Sequence, residues 1–436
     1  MLQASLNHIP FLLLIPIHLP DLAALFVGGA CSFVLAFLLT FVVKAFCFKM
    51  GWLDRPAERR IHKTPVPRLG GVAMFLAFVI VSLLFYSPGV NSNPTEISIY
   101  WLLLIASTLM VIVHTYDDVK GLKPLPKLIA QTVAVIIIMG PWIPTFRGVL
   151  LYTFSNPFYH FRFLDIPIFR EPNIYLFMQH ADFSFAAIPA VLLTWFWAVG
   201  MMNTVNLIDG IDGLATGVVG ITALFITIIS YVLGQQSIAI LAAIFTGAVL
   251  GFLPHNWNPA RIFMGDSGSM FLGLGLAVLS IMGGAKLALA LMVLGVPILD
   301  VAVVMTIRIR RGQSPLHYDK SHLHYRLLAT GLSVKQICFL FYALTALFGV
   351  LALHLDRIYK FVGLGLVGLT MILLILWVDR RLRQRGIHIN GNGTRPSPDT
   401  QGKEPADEKV AEGERITPSE YTAQAVSQPA TRETLG

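Results

Sequence analysis

Carboxylates gather at three places in an otherwise apolar chain: Asp117 with Asp118, Asp209 with Asp212, and Asp266. Such acids do two kinds of chemistry. They hold a divalent cation through hard oxygens, and they position or deprotonate a hydroxyl or phosphate. In HTYDDVKGLKPLPK at 114–127, the adjacent acids repel one another unless a divalent cation, or a proton shared with a phosphate, compensates. Lys120, Lys123 and Lys127 follow and would attract phosphoryl oxygens. A solvated, charged helix end is the plain alternative.

The segment NTVNLIDGIDGLATG at 203–217 is more specific. Its three-residue spacing predicts Asp209 and Asp212 on one face of a helix. Gly210, Gly213 and Gly217 leave that face open to a ligand or a neighbouring helix, and Asn206 adds a neutral oxygen donor one turn earlier. In FLPHNWNPARIFMGDSGSMFLG at 252–273, Asp266 lies where an apolar helix begins. Backbone amides there can receive phosphate oxygens while Asp266 holds the accompanying metal; an ordinary N-cap is the alternative. Asn256 and Phe263 could touch a base or sugar, or serve only in packing.

The stretch RIRRGQSPLHYDKSHLHYRLLATG at 308–331 gathers His317, His322 and His324 among Arg308, Arg310, Arg311, Lys320 and Arg326. No cysteine accompanies the histidines, and cationic neighbours favour an anion over a metal, so phosphate contact is the better chemistry. A basic loop with incidental histidines is the alternative. Asp300, eight residues before Arg308, falls within an apolar run, roughly 12 Å from its end along a straight helix. It is expected to face the bundle interior, either touching substrate or bracing a helix.

The elements that carry these residues are apolar helices. Apolar residues make up 55% of the 436 positions and charged residues 13%, which places the chain among polytopic membrane proteins. Continuous apolar runs favour helices over a barrel. Runs near the span length occur at 22–43, 70–87, 99–114, 127–143, 184–203, 214–233, 236–254, 269–285, 287–307, 337–354 and 359–378, giving an all-α bundle of about eleven spans. Lysine and arginine orient it. The 44–68 connection carries Lys44, Lys49, Arg55, Arg59, Arg60, Lys63 and Arg68, whereas 87–98 has no basic residue. Alternation puts every acidic motif on the cytoplasmic side, the N-terminus outside and the C-terminus inside. The net charge of +8 is therefore a topology signal, and no nucleic-acid partner is expected.

Residues 1–381 form the membrane-embedded domain in this division, and 382–436, rich in polar residues and poor in aromatics, a disordered cytoplasmic tail. The run at 11–20 is short and lacks a preceding basic region, so no cleaved signal peptide is expected. Cys31, Cys47 and Cys338 show no paired spacing and are expected as buried free thiols. The outside connection 144–183, with FYHFRFLDIPIF at 158–169, suits a small extracytoplasmic β-hairpin or an irregular aromatic-anchored loop.

Taken in order, the DD pair with its lysines, NLIDGIDGLA, PARIFMGDSGS and DKSHLHYRLL resemble the polyprenyl-phosphate N-acetylhexosaminyl-1-phosphate transferases, from about Gly51 to about Leu332. HKTPVPRLGG at 62–71 and the HLHYRLL form are similar to the branch that transfers GlcNAc-1-phosphate to undecaprenyl phosphate, and less like phospho-MurNAc-pentapeptide transferase. His114 and Thr115 stand where smaller residues are commoner in that family. The resemblance implies a bacterial inner-membrane enzyme that uses a UDP-N-acetylhexosamine, undecaprenyl phosphate and Mg²⁺, with Mn²⁺ as a substitute, amid membrane lipid and with a homodimer as one assembly. It further implies Asp266 as metal ligand assisted by Asn206, and Asp117 or Asp118 on the lipid phosphate. Asp209 and Asp212 would hold the nucleotide-sugar side, and His322, His324 and Arg326 would meet the sugar-pyrophosphate; Asn256, Phe263 and Lys127 complete the candidate substrate-binding set. A transporter or flippase is the rival of another class, disfavoured because transport sites lie near the bilayer midplane.

Overall fold

A computed structural model describes residues 21–54, 65–86, 95–141, 147–155, 173–176, 187–282, 287–310, 312, 321–355, 359–390 and 393–396. Arg55, Arg59, Arg60, Lys63, Arg311, His317, Lys320, the aromatic stretch 158–169, the first twenty residues and the chain beyond 396 lie outside the described residues. The chain divides into a unit of Met1–Arg395 and a second of Pro396–Gly436, of which only Pro396 is described.

The protein is a polytopic helical membrane protein, as its apolar runs predict. Among the described residues, seven helices are long and apolar enough to cross a membrane: α1 (Asp21–Met50), α3 (Thr95–Lys120), α5 (Ile188–Ile208), α6 (Leu214–Val232), α7 (Gln236–Asn256), α12 (Val334–His354) and α13 (Tyr359–Gln384). An eighth arises if α9 (Leu287–Val293) and α10 (Gly295–Arg310), which meet at a 74° bend, form one broken span. Three apolar helices are shorter: α2 (Gly70–Phe85), α4 (Pro124–Met139) and α8 (Gly265–Ile281). Helix thus occupies all eleven apolar runs, but only seven or eight meet the length criterion, and a full count of eleven stays a proposal. The short helix α11 (Leu323–Ala329) lies between α10 and α12.

The three short helices share a feature: each begins beside a candidate site residue or basic motif. α2 starts two residues after Arg68, α4 three residues before Lys127, and α8 one residue before Asp266. Positive helix ends therefore converge where the acids collect. α8 is the centre of the bundle, packed against α2, α3 and α5 with nearly every residue buried. Gly71 and Gly268 allow its crossing with α2, since a Cβ on Gly71 would come 2.1 Å from the Gly268 nitrogen. Phe78 of α2, Phe245 of α7 and Phe271 of α8 then lock these helices, their ring centroids 5.6 to 5.8 Å apart. Ser333 and Gln336 form a capping box that starts α12.

Strand is sparse. β1 (Leu53–Asp54) pairs antiparallel with β2 (Val66–Pro67), and β3 (Thr153–Ser155) with β4 (Asn173–Tyr175), the latter within the connection where a hairpin was one of two expectations. Past residue 382, α13 continues to Gln384, followed by a two-stranded sheet of β5 (Ile387–Asn390) and β6 (Gly393–Pro396). The described cysteines are free, with Cys47 and Cys338 buried as expected and Cys31 exposed on the outward face of α1, where the expectation of burial is corrected.

Candidate active site

The C-terminal ends of α3 and α5 meet the N-terminal ends of α4 and α8 around one charged cluster. Lys127 on α4 is its hub: Nζ lies 2.5 Å from Asp117 Oδ2 and 2.8 Å from Asp266 Oδ2. Asp117 is held from its other side by the Leu122 N–H, which donates to Oδ1 at 2.6 Å. Asn206 donates through Nδ2 to Asp266 Oδ1 at 3.2 Å and to Ser269 Oγ at 2.9 Å. Asp117, Lys127, Asn206 and Asp266, from four helices, therefore form one site.

Asp118 belongs to the same cluster in a different role. Its Oδ1 accepts from the Asp266 N–H at 2.8 Å, and its Oδ2 from the Ser267 N–H at 3.0 Å and the Ser267 hydroxyl at 2.8 Å. These amides belong to the first turn of α8, which has no capping side chain of its own. The expectation that they stand free for phosphate oxygens is corrected: a carboxylate from α3 occupies them, as an N-cap would. Asp118 thus positions Asp266 and has few lone pairs left for a substrate. Gly265 completes the turn. Its φ is +71°, and a Cβ there would lie 2.1 Å from the Arg68 carbonyl oxygen and 2.4 Å from Asp118 Oδ2. The backbone of the GDSG turn is further pinned by Phe263 N–H to Pro67 O at 2.8 Å and Gly71 N–H to Met264 O at 2.9 Å.

The IDGIDG segment departs from its expected form. α5 ends at Ile208 and α6 starts at Leu214, so Asp209 and Asp212 lie in the turn between helices and not on one helical face. Gly213, at φ +81°, makes the break. Asp212 Oδ2 accepts from Asn258 Nδ2 at 2.9 Å and the Ala260 N–H at 3.0 Å, which ties down the loop before the GDSG turn. Asn256 is spent internally: it accepts from the Gly213 N–H and Thr216 hydroxyl at 3.1 and 2.7 Å and donates to Ile262 O at 3.1 Å. Neither Asp212 nor Asn256 presents these groups to a ligand, and Phe263 is half-buried with its backbone paired to the 67–70 segment. The glycines face protein, with Gly210 under His324 and Tyr325 and Gly217 under Tyr342. Asp209 is different. Burial, then the charge of Asp266, push its carboxyl well above the usual carboxylate range, with Arg68 opposing.

The histidine segment meets this turn from the other side. Tyr325 OH donates to Gly210 O at 3.3 Å, and His324 packs on Gly210. Burial holds His324 down at about 4, so it is neutral at physiological pH. His322 pairs with Asp300, at 3.0 Å. Arg326 is directed away, to Asp379 near the end of α13. Asp300 therefore braces the histidine segment, and it lies eight residues before Arg308 on the unbroken helix α10, after the 74° bend.

Sequence reasoning did not assign Asn203 and Gln131 a part. Asn203 donates to Gln131 Oε1 at 2.9 Å, one turn from Asn206 and Lys127, and locks α5 to α4. Asn203 was visible as the first residue of the NTVN motif. Arg68, noted only as a topology charge and motif member, acts on Asp209.

The donor set fits a hard divalent cation. Asp117 and Asp266 offer carboxylate oxygens, and an ammonium already bridges them, so the place is one that holds positive charge. Among the described residues, no group of three or more His, Cys, Asp or Glu side chains is placed to hold a metal ion. Mg²⁺ takes one or two carboxylates and completes its shell with water and substrate phosphates, and Asp117 and Asp266 are two such carboxylates.

A glycosyl transferase family 4 model matches residues 100–284, which span α3 to α8 and all of the charged cluster. A "Probable undecaprenyl-phosphate N-acetylglucosaminyl 1-phosphate transferase" of Bacillus subtilis (strain 168) is 30% identical over 351 residues, 79% of this chain and 88% of the relative. A "Decaprenyl-phosphate N-acetylglucosaminephosphotransferase" of Mycobacterium tuberculosis (strain ATCC 25618 / H37Rv) is 33% identical over 343 residues, 72% of this chain and 78% of the relative. A "Phospho-N-acetylmuramoyl-pentapeptide-transferase" of Staphylococcus aureus (strain MW2) is 30% identical over 331 residues, 74% and 95% respectively. With identity of this level sustained over most of both chains, and the family match covering the helices that build the cluster, the protein belongs to glycosyl transferase family 4.

Proposed function

We propose that this enzyme transfers N-acetylhexosamine 1-phosphate, specifically GlcNAc 1-phosphate, from its UDP-sugar to undecaprenyl phosphate and releases UMP. The product, a lipid-linked pyrophosphoryl sugar, would initiate a cell-envelope polysaccharide. The observation that carries this reading is the Asp117–Lys127–Asp266 bridge at the start of a central helix. Phosphoryl transfer between two anionic partners needs positioning and charge neutralisation far more than covalent help from the protein.

In the reaction, an oxygen of the lipid phosphate attacks the sugar-bearing phosphorus. The bond from that phosphorus to the bridging oxygen breaks, and its electron pair leaves with UMP. Lys127 offsets phosphoryl charge beside the reacting groups. Asp117 orients the acceptor phosphate or takes its proton, while Asp118 serves by fixing the turn that aims Asp266. Asp266 and Asn206 would hold Mg²⁺, or Mn²⁺ in its place, which would neutralise charge on the pyrophosphate when bound. Asp209, with its raised carboxyl pKa, can donate a hydrogen bond to the nucleotide-sugar. The basic connections support an active site facing the cytoplasm of a bacterial inner membrane.

The relative named as a phospho-N-acetylmuramoyl-pentapeptide-transferase favours one second reading, the same transfer with that donor. Supplying the purified protein with undecaprenyl phosphate and a panel of UDP-sugars separates them. UMP release with UDP-GlcNAc is expected. Release only with UDP-MurNAc-pentapeptide would select the second reading, and release with no UDP-sugar would end both.

A further inference from the structure

One buried carboxylate has no part in the transfer chemistry above. Asp300 on α10 is 4% exposed, and its Oδ2 accepts from His322 Nδ1 at 3.0 Å while its Oδ1 accepts from the Leu323 N–H at 2.9 Å. An ionised carboxylate only accepts, so the hydrogen of this contact sits on Nδ1 of His322. Nε2 then points away from Asp300, and it is buried with no partner among the described residues. The Nε2 of His324 is likewise buried and without a partner among the described residues. The two rings are parallel to within 8°, their centroids 6.0 Å apart. His324 in turn lies on Gly210, between Asp209 and Asp212, where a Cβ would approach its Nε2 to 2.3 Å.

Buried polar atoms are nearly always paired, so two orphaned imidazole nitrogens on neighbouring parallel rings call for an explanation. A bound ligand that supplies the missing partner is a direct one. The backbone contact matters as much as the side-chain contact. By taking the Leu323 N–H as well as His322 Nδ1, Asp300 fixes both the ring and the start of α11 that carries it. A contact to Nδ1 from a carboxylate is also the usual way in which a histidine is held in one tautomer and one orientation.

We propose that Asp300 is a positioning residue for the donor substrate: it holds His322 so that Nε2 meets the sugar-pyrophosphate of the bound UDP-sugar. This rests on the transferase function proposed above. Asp300 touches no substrate itself. Asp300→Asn keeps the size of the side chain but leaves one oxygen to serve two N–H donors, so the ring or the start of α11 loses its hold.

A double-mutant cycle on the full-length protein tests it, with kcat and KM for UDP-GlcNAc measured for wild type, Asp300→Asn, His322→Gln and the double variant. Each single change should lower kcat/KM about tenfold or more. The double variant should be no worse than His322→Gln alone to within about twofold, because residues that act through one another are not additive. An undiminished effect of Asp300→Asn in the His322→Gln background would overturn the proposal. Folding of the variants does not limit the test. NMR of wild-type protein with ¹⁵N-labelled imidazoles, His322 being identified by its absence in His322→Gln or by direct assignment, should show hydrogen on Nδ1. A neutral ring protonated on Nε2 alone would refute it. If wild type turns over no UDP-sugar, the transferase reading fails, while the tautomer still decides the Asp300–His322 pair.

Discussion

Asp117 and Asp118 are sequence neighbours, yet replacing each by asparagine should have opposite consequences for stability and chemistry. Asp118 accepts three hydrogen bonds, from the Asp266 N–H, the Ser267 N–H and the Ser267 hydroxyl. An asparagine there presents one oxygen and one NH₂ group. Whichever way the amide turns, at least one N–H of the α8 first turn faces another donor, and leaving a buried donor unpaired costs about 1–3 kcal/mol. Loss of the negative charge at a helix N-terminus adds roughly 0.3–1 kcal/mol. Asp118→Asn should therefore lose about 1–4 kcal/mol of stability. Asp117→Asn keeps an oxygen for the Leu122 N–H, Lys127 keeps Asp266, and removing one of two acids that share a single lysine relieves their repulsion, so its loss should be smaller than that of Asp118→Asn. Thermal unfolding of the detergent-purified variants, run beside UMP release, reads both quantities. Asp118→Asn should melt clearly lower than wild type, and Asp117→Asn should melt near wild type with transfer largely lost. The reverse order, a stable but inactive Asp118→Asn beside an unstable and active Asp117→Asn, would refute the division of roles between the two acids.

Other expectations follow from the same geometry. Asp209 has a folded pKa raised by burial and by Asp266, so the folded state binds its proton more tightly than the unfolded chain does. Stability from this group is then lost as pH rises from the ordinary carboxylate range through the raised value, and Asp209→Asn should lift the melting temperature at neutral pH and flatten that slope; a lower melting temperature there would contradict it. Gly265→Ala places a Cβ 2.1 Å from the Arg68 carbonyl oxygen at a φ of +71°, so expression of folded protein and activity should fall together, and an active, stable variant would show that the GDSG turn tolerates what the geometry forbids. Arg326→Ala and Asp379→Asn should each change stability by no more than about 1 kcal/mol and leave KM for the UDP-sugar alone, because the guanidinium is engaged by a partly exposed acid. A KM raised tenfold by Arg326→Ala but not by Asp379→Asn would return Arg326 to the substrate.

Much of the architecture was visible in the residues because a hydrophobic run announces a buried or lipid-facing helix by its length alone. The acids were conspicuous for the same reason, since charge near hydrocarbon is retained only where it has a use. What escaped were the long-range partners. Nothing near Asp118 indicates that it caps a helix beginning at Gly265, because the amides it serves are 148 and 149 positions away in sequence. Asp209 and Asp212 were placed on one helical face by their spacing, a rule that holds only if the helix continues. Gly213, in the left-handed region, ends that premise. The bend between α9 and α10 had a local signal in Gly295 and Pro297, overridden by the apolar length of the run. Asn256, a polar residue beside a functional motif, resembled a ligand contact, whereas its side chain is consumed in holding Gly213 and Ile262 together.

The central claim is that the Asp117–Lys127–Asp266 cluster is where the phosphoryl group is transferred with Mg²⁺. The most direct measurement is UMP release from UDP-GlcNAc and undecaprenyl phosphate by wild type and Asp266→Asn, each titrated with Mg²⁺ after treatment with chelator. Wild type should be inactive in chelator and recover with Mg²⁺, and Asp266→Asn should stay inactive at every Mg²⁺ concentration while melting near wild type. Turnover in chelator, or near-normal rates from Asp266→Asn, would contradict the claim.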